Sequence, residues 1–173
     1  MASHQSPAPH YSLPYRAGAD TRRVTAPFHR EIGAVHAIDF SMPKGTPVRA
    51  ARDGVVVFRE SRYSKTADMS DKSNASKANI VEIEHADGEM TLYAHLQWRS
   101  VRVANGQHVR RGQIIGLSGQ TGFASYPHLH FAVYSPVDLR HPVPVTHVPD
   151  FDQPLPPKAP WKHYSPDFNW VPG

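Results

Sequence analysis

Through the middle of the chain, apolar and polar positions alternate in short runs. They read "AIDFSM" (37–42), "PVRAA" (47–51), "GVVVFRE" (54–60), "NIVEIEHA" (79–86), "MTLYAHLQ" (90–97), "SVRVA" (100–104), "GQIIGLSG" (112–119) and "HLHFAVYS" (128–135). Runs this short, rich in Val and Ile and bounded by Gly, Pro, Asn and Asp, predict β-strands. No stretch sustains the period of an amphipathic helix. "EHADGEM" (84–90) sets Asp87-Gly88 between two alternating runs, a strong short-range signal for a hairpin. "KGTPVRAARDGVVVF" (44–58) and "NGQHVRRGQIIGLSG" (105–119) share an order of features: a turn glycine, a valine after a polar residue, then a second glycine before an apolar strand. The prediction is a mainly β, antiparallel domain with a groove, built from two related half-barrel-like motifs.

Both ends break this pattern. Residues 136–173 hold 10 of the 17 prolines, too many missing backbone donors for a central strand or a helix. Trp161, Tyr164, Phe168 and Trp170 make that arm too apolar for a plain linker, so it is expected to lie against the domain or a partner. Residues 1–27 are similarly irregular, with prolines at 7, 9, 14 and 27. The expected division is an N-terminal extension (1–27), the β domain (28–136) and a Pro-rich C-terminal arm (137–173). The Ser/Lys-rich segment 61–79 reads as a long surface loop.

Composition narrows the chemistry. The chain has 173 residues, 39% hydrophobic and 20% charged, as in a globular protein, and no apolar run is long enough to span a bilayer. Cysteine is absent, so disulfides and thiolate metal sites are excluded and any metal must be held by His, Asp or Glu. The start lacks the features of a secretory signal. A net charge of +4 comes from arginines scattered over separate segments, which argues against a nucleic-acid groove.

The candidate chemistry lies in the histidines. In "PHLHF", His128 and His130 share one face of a strand while Leu129 and Phe131 take the other. Asp39 lies between Ile38 and Phe40 and faces away from the core, a costly lone charge unless something compensates it. A catalytic zinc site usually has three protein ligands and an open position. His36 has the wrong parity to share a face with Asp39, whereas His29, beyond a break at Gly33, escapes that constraint and is favoured as first ligand. His10 is a remote alternative. His95 shares strand parity with Tyr93 and is expected near the same groove. The residues thus offer His29, Asp39 and one of the His pair to a metal, leaving His95 and the other to handle protons. His36, His85 and His108 read as structural or surface groups, and His4, His141, His147 and His163 as exposed ones in the extensions.

The blocks "HAIDFSMPKGTPVRAARDGVV", "NIVEIEHADGEMTLYAHL", "NGQHVRRGQIIGLSGQTG" and "PHLHFAVY" resemble, in order, those of the lysostaphin-like, LytM-type zinc metallopeptidases, which are peptidoglycan endopeptidases. The resemblance runs from about residue 28 to 135. It implies zinc on Asp39 and His130, catalytic assistance from His95 and His128, and a substrate of peptidoglycan peptides, outside the cytoplasm. The usual first block is His-x-x-x-Asp, but position 35 is Val35, so the sequence is similar to a subgroup with the histidine about ten residues upstream, again His29. "TGFASYPHLHF" is also longer than the usual approach to the final pair. The competing class is an inactive domain of the same type that binds peptidoglycan or activates cell-wall hydrolases. A lipoyl- or biotinyl-type carrier would need a lysine at the Asp87-Gly88 turn, and none is there.

Overall fold

The computed structural model describes residues 11–24, 27–30, 33–66, 71, 76–135 and 145–159. Among the described residues ten strands form, in chain order: β1 (Arg22–Val24), β2 (Ile38–Ser41), β3 (Pro47–Arg49), β4 (Gly54–Glu60), β5 (Ile80–Glu84), β6 (Met90–Ala94), β7 (His108–Val109), β8 (Ile114–Leu117), β9 (His128–Ser135) and β10 (Val145–His147). Among the described residues the helical content is 3-10 only, the turn Pro27–Arg30 and residues 76–77. The expected mainly antiparallel β fold is therefore what the chain adopts.

Seven strands make one antiparallel sheet in the order β1-β2-β9-β6-β5-β4-β7, and β10 extends β2's row along the same edge of β9. β3 and β8 form a separate two-stranded sheet. The repeated stretches explain this division. β3 and β4 come from the first stretch, β7 and β8 from the second, and each stretch gives one strand to each sheet: β3 pairs with β8, β4 with β7. The hairpin at Asp87-Gly88 joins β5 to β6, with Gly88 at φ 84°, a conformation open to glycine at little cost.

The core lies between the sheets. Phe40, Leu129, Phe131, Tyr93, Val81, Ile83 and Val56 point from the large sheet toward Val48 and Ile115 of the small one. Period-two alternation then fixes the other face of β2 and β9 as the place for Asp39, His128 and His130.

Sequence and structure differ in three places. "SVRVA" forms no strand; within it Arg102 N–H donates to Ile115 O at 2.9 Å, and no ladder is built on that bond. β1 and β10 form inside the regions read as irregular: β10 pairs with β9, and β1 lies between β2 and a parallel bridge at Arg23–Lys158. The core also extends past residues 28 and 136. Tyr11, Leu13 and Tyr15 are buried within it, and Phe151 and Leu155 pack against it. Tyr15 stands edge-on to Phe40 at 5.2 Å, and Phe151 meets Phe131 at 5.9 Å. The two ends are tied together: Tyr11 N–H donates to Asp150 O, Asp152 N–H to Tyr11 O, Arg23 N–H to Pro157 O and Ala159 N–H to Arg23 O. Arg111 pairs with Asp152. Trp161, Tyr164, Phe168, Trp170, His4, His10, His141 and His163 lie outside the described residues.

Candidate metal centre

β2 and β9 run side by side with Asp39 directly opposite His130 and Ser41 opposite His128. The register brings the carboxylate and both imidazoles together without any loop. His130 Nδ1 lies 2.9 Å from Asp39 Oδ1, and His128 Nε2 lies 3.7 Å from the same oxygen. His29, carried by the 3-10 turn, approaches the other oxygen, with Nε2 at 3.2 Å from Oδ2. Its ring stands edge-on to that of His130 at 4.9 Å. His29, Asp39 and His130 thus offer three ligand atoms all within 4.8 Å of one another. His36 is exposed and lies apart from this cluster, with its backbone N–H bonded to Thr146 Oγ1.

The electrostatics fit a cation. Asp39 is 1% exposed. Burial by itself would raise its pKa, but the charge of His128 and hydrogen bonds from His130 and His29 hold the carboxylate well below the usual range. Among the described residues, its ion-pair partners are three histidines, with no arginine or lysine. Burial, aided by repulsion from neighbouring imidazoles, pushes the pKa of His95 well down. Burial likewise lowers that of His128, against the pull of Asp39. A buried carboxylate ringed by histidine nitrogens is a fit place for a cation, which Asp39, His29 and His130 would hold between them. Two histidines and one carboxylate form a donor set suited to zinc with a position left open.

His95 reaches the centre by a route that strand parity misses. Tyr93 faces Phe131 across the ladder and lies fully buried in the core, where its hydroxyl accepts a hydrogen bond from Ala51 N–H. A regular continuation of β6 would bury His95 on that same side. β6 instead ends at Ala94, and His95 takes φ 63°, which turns its ring onto the Asp39 face. The ring then lies 4.6 Å from that of His128 and 5.9 Å from that of His130. The expected face shared with Tyr93 is corrected accordingly, while His95 does lie near the groove of Asp39, His128 and His130.

Backbone carbonyls fix both tautomers. Thr121 O sits 2.7 Å from His95 Nδ1 and Tyr126 O sits 2.8 Å from His128 Nδ1. A carbonyl only accepts, so each Nδ1 carries the hydrogen and each neutral ring keeps its lone pair on Nε2. Tyr126 also stacks on His128 at 4.4 Å and packs with Val24 as an apolar side to the centre. Sequence reasoning singled out neither Tyr126 nor Thr121. Their contributions come chiefly through backbone oxygens, which leave no trace in residue type.

The family model described as peptidase family M23 matches residues 33–142. The chain belongs to this family. A DD-carboxypeptidase/endopeptidase of Neisseria meningitidis serogroup B is 36% identical over 135 residues, covering 70% of this chain and 28% of the relative. The crystal structure of a zinc-containing peptidase from Vibrio cholerae superposes with a TM-score of 0.54 at 30% identity, over 86% of this chain and 41% of that one. The solution structure of lysostaphin gives 0.53 at 29% identity, over 76% of this chain and 50% of that one. The M23 family and its β fold are those to which the four sequence blocks pointed. The chain spans 28% of the length of its curated relative.

Proposed function

We propose that the chain is a zinc-dependent endopeptidase that hydrolyses peptide bonds in peptidoglycan cross-links or bridges, acting in the periplasm or outside the cell. The observation that carries this reading is the buried Asp39 carboxylate surrounded by His29, His130 and His128, with His95 turned toward it. His29, Asp39 and His130 hold the metal. Bound there, zinc supplies Lewis-acid polarisation of the scissile carbonyl and a water nucleophile at neutral pH. His95 and His128 act on protons. Each presents an unprotonated Nε2, so one takes the proton from the attacking water and can return it to the leaving amine. Their lowered pKa values keep them in this form near neutrality. His95 and His130 are the most exposed of the five site residues, at 8% and 6%, so substrate approaches from their side.

An inactive domain that binds peptidoglycan is the second reading. It is disfavoured because such domains lose ligands, and here all five positions carry a residue fit for its role. The test is metal content of the purified protein by mass spectrometry, followed by digestion of cross-linked muropeptides. About one zinc per chain is expected in wild type and in His36→Ala, and much less in His29→Ala and Asp39→Ala. Replacing His128 by Ala should abolish hydrolysis and leave zinc bound. A wild-type protein that binds no zinc when supplied with it would overturn the peptidase reading.

A further inference from the structure

Directly behind His95 lies a buried polar clamp built from two side chains. Asn79 is fully buried and all its polar side-chain atoms are engaged. Its Oδ1 accepts from Tyr63 N–H at 2.9 Å, and its Nδ2 donates to Tyr63 O at 2.8 Å and to Leu96 O at 3.1 Å. Thr121 Oγ1 accepts from Asn79 N–H at 3.0 Å and donates to Leu96 O at 2.8 Å. Leu96 N–H in turn donates to Asn79 O at 3.0 Å. Leu96 immediately follows His95, so its N–H and its C=O are both held. The carbonyl that receives His95 Nδ1–H belongs to Thr121 itself.

This arrangement bears on a specific difficulty. His95 must leave its strand in a left-handed conformation that residues with a Cβ adopt reluctantly, and such geometry persists only where the surroundings determine it. The clamp supplies that determination at Leu96, the residue that follows the turn, and at the ring nitrogen through Thr121 O. Next to the clamp, Thr66 pairs with Gly122 and its Oγ1 donates to Gln120 O, so the chain on either side of Thr121 is tied to the segment before Asn79.

We infer that Asn79 and Thr121 are positioning residues that hold His95 in its left-handed turn, with Nδ1 on the Thr121 carbonyl and Nε2 on the opposite edge of the ring. The inference rests on the peptidase reading for its effect on rate, and on the fold alone for its effect on the ring.

The test uses the full chain and the pair Thr121→Val and Thr121→Ser. Valine keeps the shape and the carbonyl but removes the hydroxyl; serine keeps the hydroxyl. With zinc bound and a cross-linked muropeptide as substrate, Thr121→Val should lower kcat by roughly ten- to a hundredfold with KM changed by less than about twofold, and Thr121→Ser should restore most of it. Nitrogen-edited NMR of the zinc-free chain should show the His95 ring resonances moved in the valine variant and unmoved in the serine one. If Thr121→Val does not fold, Asn79→Ser, which keeps a donor and shortens its reach, is read by the same two measurements. An inactive wild type would sink the peptidase reading and leave the NMR comparison to judge the clamp. An active wild type whose valine variant matches it in kcat and in His95 resonances would overturn the inference.

Discussion

The family match ends at residues 33 and 142, yet the core draws on both flanks, and this sets up a test of what folds. Consider the fragment 28–136. It lacks Tyr11, Leu13 and Tyr15, which are 2%, 7% and 5% exposed in the whole chain, together with the partly buried Phe151 and Leu155. Burial of each large side chain contributes roughly 1.5–3 kcal/mol, so the first three alone account for about 4.5–9 kcal/mol. A domain's entire stability is about 5–15 kcal/mol. The fragment also exposes the aromatic edge of Phe40, the residue after Asp39, so β2 loses the packing on the side opposite the Asp39 carboxylate. Thermal and urea unfolding followed by near-UV circular dichroism should show a cooperative transition for residues 11–159 and none for 28–136. A milder probe, Tyr15→Ala, should cost about 3 kcal/mol. In a domain of this size that corresponds to a melting temperature lower by roughly 6–12 °C. A fragment 28–136 melting within a few degrees of the whole chain would refute the argument, because the flanks would then be passengers on an independent core.

Gly119→Ala tests the backbone packed against the His95 turn. A Cβ there would sit 2.6 Å from Gln97 N, 2.7 Å from Gln97 Cα and 2.8 Å from His95 O, all backbone, so the His95 turn must move. The expected result is a loss of stability of about 1–3 kcal/mol, with hydrolysis reduced more than folding; normal rates would show that the turn tolerates displacement. His85→Gln tests a pH dependence. His85 is buried, with Nδ1 on Asp53 O and Nε2 on Thr91 Oγ1, and burial chiefly lowers its pKa from 6.5. The unfolded chain therefore takes up a proton first as pH falls, and the stability His85 contributes is full above about 6.5 and declines below it, by at most about 1.4 kcal/mol per pH unit. Urea denaturation of both proteins between neutral and mildly acidic pH should give a shallower decline for His85→Gln, and parallel curves would exclude the linkage.

Much of the fold was legible because its signals are local. Alternation in "HLHFAVYS" and "NIVEIEHA" marks strands whatever packs on them, and Asp87-Gly88 marks a turn on its own. Tyr11 and Phe151 were not legible as core residues, because what buries them is each other's segment, 140 positions away, and proline-rich sequence reads as irregular wherever it packs. The candidate ligands followed the same division. Asp39, His128 and His130 came from strand parity, which the β2–β9 register respects.

His95 shows where that reasoning fails and why the failure is informative. Parity put it beside Tyr93, and the register would have set it opposite the buried Leu129 had β6 run on by one residue. The chain instead bends at the residue that carries the imidazole, with a non-glycine in left-handed geometry and a polar clamp to hold it. A residue needed only for packing would have lain more cheaply in the strand. The departure from regular geometry thus falls where a side chain leaves the core face for the face of Asp39, His128 and His130, a direction that the strand does not provide.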